Sequence, residues 1–343
     1  MSQKPTGETT LRDIARQAEV HETTASRALD PARRHMVSPE VAKRVDAAAR
    51  ALNYRMNRAA SALRTGRTAT VGVLLPDITN PVFPPILRGI EQALAAEGFF
   101  AMVANVGDGQ TPSSVADRLL AQRVDGLIVA TSLLHDPLVA HLQKAQAKVV
   151  LVNRRDDSGV MPAVVSDDAL GMKLAVDHLV ALGHRRIAHL AGPAGLSTGA
   201  LRRSGFEQAM ALHALAPVAI DECSAYSREG GAQSVTRLIA RGLRFTALVA
   251  ANDLIGLGAI GELQRRGIGV PQQVSVVGHN DMPLVDMVSP PLTTVRIQHY
   301  EMGYRAARLL LEALRGVPGT ASTVVLRPEL IVRASTAAPP DES

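Results

Sequence analysis

The sequence predicts an all-α unit of helix-turn-helix type at the N-terminus, followed by an α/β body of two doubly wound parallel-sheet halves. Length and charge both predict that the N-terminal unit is separate from the body. The 343 residues exceed one typical domain, and residues 1–68 carry 13 basic and 7 acidic side chains against 24 and 25 in the rest. The α/β body is predicted from apolar runs that alternate with amphipathic stretches after residue 70. The same alternation restarts after residue 162.

Composition excludes several classes of protein. The one cysteine, Cys223, excludes an intramolecular disulfide framework and a cysteine zinc cluster, and fits a reducing cytoplasm. No apolar run approaches the roughly 18 residues of a membrane span, and the first residues lack the apolar stretch of a secretory signal. We therefore expect a cytoplasmic protein without membrane contact, and the scattered histidines predict neither a metal site nor a cofactor.

The basic N-terminal segment predicts three helices. Thr10 caps the first, whose apolar residues recur at positions 11, 14, 15 and 18 on one face. The second covers 22–29 and ends before Pro31. The third opens with Ser38 as its cap and Pro39 at its first position, and runs to residue 52. Two short helices joined by a three-residue turn and braced by a third are typical of a helix-turn-helix.

The second helix has the size and side chains to enter a major groove. Arg27 can bind guanine through two hydrogen bonds, Glu22 can accept from cytosine, and Thr23 can contact thymine. Three further side chains are placed for phosphates, which position a protein without specifying sequence: Arg12, Thr24 and Ser26. A solvated basic tail would explain the charge, and a three-helix interaction module would explain the helices. Only DNA binding explains both.

Four segments carry a specific resemblance: TLRDIA (10–15), VHETTASR (20–27), LNY (52–54) and NRAASAL (57–63). They resemble the headpiece and hinge of the LacI/GalR (lactose-repressor) family, and the similarity extends from about residue 10 to 334. The sequence departs from the family at Glu19, where a turn glycine is usual, and at His21, where a serine usually caps the helix. It also has a longer loop at 31–36, whose Arg33, Arg34 and His35 we expect to add phosphate contacts.

The resemblance implies that residues 56–67 form a hinge helix. That segment is too short to be stable alone in water, so we expect it to fold on DNA. The family's pattern places Leu63 as the wedge that opens a base step in the minor groove, and gives Asn57, Arg58 and Ala60 further DNA contacts. A plain linker, with Leu63 as a core residue, is the alternative.

The body predicts two similar halves. Strand-like runs cover 71–75, 100–104, 125–130 and 148–152 in the first half, and 163–166, 187–190, 247–250 and 275–277 in the second. Helices are predicted at 85–97, 116–123, 169–182 and 300–315. The resemblance implies a periplasmic-binding-protein-like body whose chain crosses three times between halves, near 162, 290–292 and 325–327. The predicted units are 1–55, 56–67, 68–162 with 292–324, 163–291 with 325–338, and a tail at 339–343.

A ligand of such a body lies beyond the carboxyl ends of its strands, where two such ends face each other. The candidate residues at these ends are Asp77, Asn80, Phe83, Asn153 and Arg154 in the first half, and Asp167, Arg202, Tyr226, Asn252, Asp253 and Asn280 in the second. The resemblance assigns Arg202, Tyr226 and the 252–253 pair to effector binding. Such donors and acceptors suit a polyhydroxylated, sugar-like ligand, with nucleobases and organic acids as alternatives.

The resemblance implies a transcriptional repressor. Its partners would be double-stranded operator DNA of pseudo-palindromic sequence, a second copy in a homodimer, and a sugar-like effector that changes DNA affinity. A transporter's solute-binding protein would share the body but not the headpiece. A hydrolase is suggested by GLSTG at 195–199, a G-x-S-x-G pattern with Asp253 and His279 in hydrolase order. Because a glycine-rich loop separates Ser197 from its strand, we expect no catalytic residue.

Overall fold

A computed structural model describes residues 9–30, 33–54, 67–107, 109–317 and 322–340. The chain divides into two compact units, 1–68 and 69–343. The predicted hinge residues Asn57, Arg58, Ala60 and Leu63 lie outside the described residues.

The first unit is a three-helix headpiece. Its helices are α1 (Leu11–Gln17), α2 (Glu22–Leu29) and α3 (Pro39–Ala51), and a short 3₁₀ turn occupies Arg34–Met36. Thr10 and Asp13 form a reciprocal capping box at α1, and Ser38 caps α3. Small apolar side chains from all three helices form the core, with Ile14, Ala25 and Val45 fully buried. The predicted helix-turn-helix is therefore confirmed.

The first half of the body is a six-stranded sheet. Its strands are β1 (Thr70–Leu75), β2 (Phe100–Asn105), β3 (Gly126–Val129), β4 (Val149–Val152), β5 (Ala163–Ser166) and β11 (Thr323–Leu326). They lie in the order β11-β5-β4-β3-β1-β2, and every pair is parallel. Its helices are α4 (Phe83–Ala95), α5 (Pro112–Ala121), α6 (Pro137–Lys144) and α11 (His299–Leu314). Apolar clusters cover both faces, as the continuous apolar runs predict.

The second half repeats the plan. Its strands are β6 (Ile187–Ala191), β7 (Ile220–Glu222), β8 (Ala247–Ala250), β9 (Ser275–Asn280), β10 (Thr293–Arg296) and β12 (Glu329–Ile331). The order is β12-β10-β9-β8-β6-β7, and only β12 runs antiparallel to its neighbour. Its helices are α7 (Asp168–Ala181), α8 (Ser197–Leu212), α9 (Arg228–Ala240) and α10 (Asp253–Arg265). Among the described residues, no helix is long and apolar enough to cross a bilayer.

The crossings between halves differ from the prediction. Strand β5 pairs with β4 and β11, so the first crossing follows Ser166 rather than residue 162. Strand β10 pairs with β9, so the second crossing comes after Arg296 rather than at 290–292. Strand β11 ends at Leu326, so residues 325 and 326 belong to the first sheet. A local apolar run does not reveal which sheet a strand joins, because its partners are distant in sequence.

Helix α11 packs on α4 of the first half, as expected. The two helices approach so closely that only glycine fits at the contact. A Cβ at Gly89 would lie 2.1 Å from the Tyr300 carbonyl oxygen, and one at Gly303 would lie 2.0 Å from that of Ile86. This contact anchors α11, and with it the returning chain, on the first half.

Candidate functional site

Helix α2 presents a polar face and buries a small apolar one. Ala25 and Ala28 are fully buried against the headpiece core, whereas Glu22, Thr23 and Arg27 are exposed. Thr24 and Ser26 lie half-buried at the edges of this face. The three side chains predicted to contact bases therefore share one exposed face, and the two predicted for phosphates flank it.

His21 begins α2 in the role that a serine usually has. Its Nδ1 accepts a hydrogen bond from the backbone N–H of Thr23 at 3.3 Å and lies 2.9 Å from the Thr23 hydroxyl. The turn before it holds Glu19 at a φ of 54°, in the left-handed region that favours glycine. The turn and the helix cap are therefore both preserved, although Glu19 and His21 are less usual residues at these two positions.

Two predicted phosphate-binding arginines lie near carboxylates. The Arg12 Nε lies 3.4 Å from Glu22 Oε1, with both side chains mostly exposed. The Arg33 Nε lies 3.9 Å from Asp30 Oδ2. Exposed pairs of this kind contribute little stability and exchange readily with other partners. Both guanidiniums therefore remain accessible from solvent.

Arg34 does not have the phosphate role expected of it. Its guanidinium donates to both carboxylate oxygens of Asp46, at 3.0 and 2.5 Å, and to the Ala28 carbonyl oxygen at 2.8 Å. The hydrogen bonds from Arg34 hold the pKa of the Asp46 carboxyl below its usual value. Arg34 thus fastens the loop after α2 to α3. Local sequence could not show this, because Asp46 lies twelve residues away.

A polar, solvent-open cavity lies between the two halves of the body, at the carboxyl ends of their strands. Ten residues line it: Asn80, Val82, Phe83, Asn153, Arg154, Thr198, Arg202, Tyr226, Asn252 and Asn280. All but Val82 and Thr198 are among the predicted candidates. The structure therefore brings eight of the eleven predicted residues together, and the other three, all aspartates, do not line the cavity.

Two of those aspartates organise local backbone. Asp77 Oδ1 accepts from the Thr79 N–H at 2.8 Å and from its hydroxyl at 2.6 Å, which forms the loop after β1. Asp167 Oδ1 accepts from the Leu170 N–H at 2.9 Å and caps α7. Both occupy strand-end positions, where the sequence predicted ligand contacts, but their carboxylates shape the turns that follow.

Asp253 is fully buried and stabilises the loop after β9. It accepts from the Thr294 hydroxyl at 2.5 Å and from the Met282 N–H at 2.8 Å. Burial raises the pKa of this carboxyl to about 7. Its predicted role in effector binding is not supported by this position. Asn252, its neighbour, lines the cavity and also caps α10 by accepting from the Ile255 N–H.

Arg202 is a buried residue on the second-half side of the cavity. Its Nε donates to Asp168 Oδ1 at 2.8 Å, its Nη1 to the Ala251 carbonyl at 2.6 Å, and its Nη2 to Asn280 Oδ1 at 3.2 Å. Burial lowers the pKa of Arg202, but Asp168, Tyr226 and Asp253 together raise it above its ordinary value. The guanidinium has five N–H donors, so two remain for a ligand.

Tyr226 covers one side of the cavity. Its hydroxyl donates to Thr198 Oγ1 at 2.9 Å, and burial raises the pKa of the phenol. Its ring lies against Gly192, where an added Cβ would come within 2.5 Å of the ring. A glycine in the loop after β6 is therefore needed for this ring position, which supports the prediction of an aromatic side chain at the site.

The first-half wall contributes Asn153, Arg154, Asn80 and Phe83. Asn153 follows β4 at a φ of 65°, a left-handed conformation that asparagine tolerates. Asn80 Oδ1 accepts from the Val82 N–H at 3.2 Å, and Phe83 is almost fully buried at the start of α4. The Arg154 Nε is buried and has no hydrogen-bond partner among the described residues.

The G-x-S-x-G segment has a structural position. Ser197 is the first residue of α8 and is 2% exposed. Its Oγ accepts from the Arg155 N–H at 3.1 Å, and the Gly195 carbonyl accepts from the Leu134 N–H at 3.0 Å. Both bonds join the two halves of the body, and we call them the clasp. His279 Nδ1 faces Asn280 and the Asp253 carboxylate faces Thr294, so neither supports Ser197 as a base would.

Sequence reasoning missed three residues of the site. Asp168, the buried partner of Arg202, stands next to the predicted Asp167 and resembled a second acid in a first helical turn. Thr198 holds the Tyr226 hydroxyl, and Val82 lines the cavity. The sequence did contain a signal for Asp168, namely two adjacent aspartates at the start of a helix. One of them can cap the helix while the other faces inward.

The comparisons with known proteins agree on both units. Residues 10–57 match the family model "Bacterial regulatory proteins, lacI family", and residues 176–336 match a "Periplasmic binding protein-like domain". The HTH-type transcriptional regulator reg1 of Streptomyces lividans is 36% identical over 97% of this chain and 98% of its own length. GalR of Escherichia coli is 32% identical, with 96% of each chain covered.

Solved structures give the same result. The lac repressor dimer bound to operator and an anti-inducer has a TM-score of 0.86 at 28% identity, with 97% of this chain and 100% of that chain covered. The regulator CelR in complex with cellobiose has a TM-score of 0.74 at 29% identity, with 96% and 100% covered. These likenesses span both the headpiece and the body. The chain belongs to the lacI family of bacterial regulatory proteins, which are HTH-type transcriptional regulators.

Proposed function

We propose that this protein is a homodimeric repressor that binds a pseudo-palindromic operator through α2 of each protomer. An effector in the cleft between the body halves changes its affinity for that operator. The observation that carries the proposal is the occurrence, in one chain, of an exposed polar face on α2 and of a polar cavity at facing strand ends. Two copies related by a two-fold axis read two half-sites.

The DNA-binding part of the proposal assigns base contacts to Glu22, Thr23 and Arg27, and phosphate contacts to Arg12, Thr24, Ser26 and Arg33. Arg27 is the strongest candidate for specificity, because a guanidinium can bind guanine O6 and N7 together. The family's pattern extends the interface to Asn57, Arg58, Ala60 and Leu63 of the hinge. The match to a lac repressor dimer bound to operator supports this docking.

For the cleft between the body halves, we propose an effector with several hydroxyl groups. The cavity lining supplies four asparagines, two arginines and two aromatic rings, and its amide and guanidinium groups donate and accept in many directions. The CelR structure holds cellobiose and that of a LacI family regulator from Enterococcus faecium holds ribose, and these precedents favour a sugar-like effector. Typical coupling between two such sites changes DNA affinity by roughly 5- to 150-fold.

The dimer is supported by apolar side chains exposed on both halves. Leu284 and Met287 are 67% and 77% exposed beyond β9, and Phe100 is half exposed on the edge strand β2. The match to a lac repressor dimer also supports a two-fold assembly. We propose a cytoplasmic, non-enzymatic protein, since Ser197 is buried within the clasp and the curated relatives are regulators.

The proposal is tested by selection of genomic DNA on the full chain at a stated, near-physiological salt concentration, because phosphate contacts weaken steeply with salt. We expect retention of a few two-fold symmetric sites. Arg27→Ala should lose about 1–3 kcal/mol at one base position and relax specificity there. Arg33→Ala should weaken all sequences about equally and reduce the salt dependence.

Arg241→Ala, at the end of α9 in the body, is the matched control and should bind as the parent does. If neither headpiece substitution changes operator affinity, the assigned docking is wrong. If the full chain enriches no sequence, even with a mixture of sugars and sugar derivatives added, the proposed function fails.

A further inference from the structure

Arg154 brings a charge into the cavity that nothing nearby balances. It follows β4 and lines the cavity. Its Nε is buried and has neither a hydrogen-bond partner nor an ion pair among the described residues, while the residue as a whole is half-buried. Arginine remains charged in proteins, so this group cannot escape the cost of burial by losing its proton.

The other arginine of the cavity is balanced. Arg202 lies 2.8 Å from the Asp168 carboxylate, and both side chains are 3% exposed, so this pair is neutral overall. The ten lining residues include no carboxylate. The cavity therefore carries one net positive charge, and Arg154 is its source.

The groups around Arg154 do not provide a hidden anion. Burial is the largest influence on its pKa and lowers it; Tyr226 raises it and Arg202 lowers it further. The nearest acid along the chain, Asp156, accepts from the N–H and hydroxyl of Ser158 and does not line the cavity. The phenol of Tyr226 donates to Thr198, which leaves it neutral.

A neutral sugar would leave this charge unbalanced, because hydroxyl groups offer only partial charges. A phosphate or carboxylate group would balance it and could accept two parallel N–H bonds from the planar guanidinium. Such charge-assisted bonds are shorter and stronger than bonds to hydroxyls. The unpaired Arg154 thus fits an anionic ligand group, while Arg202, Asn252 and Asn280 fit hydroxyls.

We propose that the effector is an anionic sugar derivative, a sugar phosphate or sugar acid, whose anionic group binds Arg154. This inference depends on the proposed function, because it names the ligand class of the same cleft. Phosphate and carboxylate groups would both bind the guanidinium as anions, and the calorimetry described below distinguishes them.

A first measurement needs no ligand. Replacing Arg154 by Met removes an unbalanced charge, so Arg154→Met should raise the thermal midpoint of the ligand-free full chain by a few degrees. Arg202→Met should lower it, because it leaves Asp168 without a partner. A lower midpoint for Arg154→Met would mean that Arg154 stabilises the fold, and would overturn the inference.

A second measurement uses inorganic phosphate, added against sodium chloride of equal ionic strength. Phosphate should raise the midpoint of the parent protein, and Arg154→Met should lose that shift. The matched control is Arg203→Met, an exposed neighbour of Arg202 that pairs with Glu207 and should retain the shift. An equal response of the parent and Arg154→Met to phosphate would exclude the anion site.

Calorimetry with glucose, glucose 6-phosphate and glucuronate then separates the two ligand forms. We expect one anionic sugar to bind at least about tenfold more tightly than glucose, and Arg154→Met to lose about 10- to 100-fold for that ligand alone. If a neutral sugar releases the operator and Arg154→Met leaves its affinity unchanged, the proposed function stands and this inference is wrong.

Discussion

The two walls of the cleft are built differently. On the second-half wall, Arg202, Asn252 and Asn280 are almost fully buried, and each is held by a hydrogen bond within the protein. On the first-half wall, the buried Nε of Arg154 has no hydrogen-bond partner among the described residues. One wall is organised before a ligand arrives, whereas the other presents a group that a ligand would complete.

This difference teaches how such a cleft can couple binding to closure. A wall with satisfied donors keeps its geometry and lowers the entropic cost of binding. A wall with unsatisfied groups gains most when the ligand reaches it, so ligand energy becomes available for bringing the halves together. The following changes should abolish or sharpen the contrast, from the largest effect to the smallest.

Asp168→Asn should have the largest effect. It leaves the buried Arg202 guanidinium without its carboxylate, so the second-half wall would carry an unbalanced charge like that of Arg154. We expect the free energy of unfolding to fall by about 3–5 kcal/mol, measured by chemical denaturation. Asp177→Asn, which breaks an accessible pair with Lys173, should cost no more than about 1 kcal/mol. Equal losses would contradict the contrast.

Acid should destabilise the second half. Burial lowers the pKa of His189 on β6 to about 4 and holds that of His279 on β9 well below 6.5. As pH falls from 6.5 towards 4, the unfolded chain binds protons that the folded one does not, so the free energy of unfolding falls. Asp253 acts oppositely, because its raised pKa of about 7 makes stability decrease as pH rises from about 4 to 7.

Burial also lowers the pKa of His299 to about 4 and raises that of Asp168. The three histidines outnumber the two carboxyls, so we expect a net loss of stability below pH 6.5. Circular dichroism during denaturation at several pH values measures this loss. His189→Gln should reduce that loss, since glutamine can keep the hydrogen bond to the Val249 carbonyl without titrating. A profile that does not change with His189→Gln would show that the acid sensitivity lies elsewhere.

Ser197→Ala should weaken the connection between the walls. It removes the hydrogen bond from the Arg155 N–H, one of the two clasp bonds. If the effector binds the closed cleft, about 2- to 10-fold more effector should be needed for half-maximal operator release. Ser204→Ala, which removes only the acceptor for Gln208 along α8, should leave this value unchanged. An unchanged value for Ser197→Ala would exclude a role for the clasp in closure.

Asn153 should show the smallest effect. Asn153 has a φ of 65°, a conformation that glycine adopts freely. Asn153→Ala should therefore lower the free energy of unfolding by about 1 kcal/mol more than Asn153→Gly does. Thermal denaturation of the two variants measures the difference. The opposite order would mean that packing rather than backbone conformation determines the residue at this end of β4.

The sequence predicted elements best where a local pattern was long. The helix-turn-helix and the central strands of both sheets lie within two or three residues of the prediction, because caps and apolar runs are local signals. Four strands were not predicted, namely β7, β10, β11 and β12. Each is three or four residues long, and three of them lie at sheet edges, where burial imposes little pattern.

The site was predicted in part for the same reason. Position after a strand identified Asn80 and Asn153, and the family resemblance identified Arg202, but position alone could not separate ligand-facing side chains from those that cap a turn. Asp77 and Asp167 accept from backbone N–H groups two and three residues away. Arg34 and Asp168 were misjudged or missed because their partners lie 12 and 34 residues away.

The sequence by itself determined the family, the headpiece, the doubly wound halves and most of the cavity lining, since these follow from local caps, periodic burial and motifs. Only the tertiary structure decided where the chain crosses between halves and which charges are paired. Strand partners and ion pairs join distant segments, so no local pattern records them. The pairing of Arg202 with Asp168, and the lack of such a partner for Arg154 among the described residues, became visible only once the chain was folded.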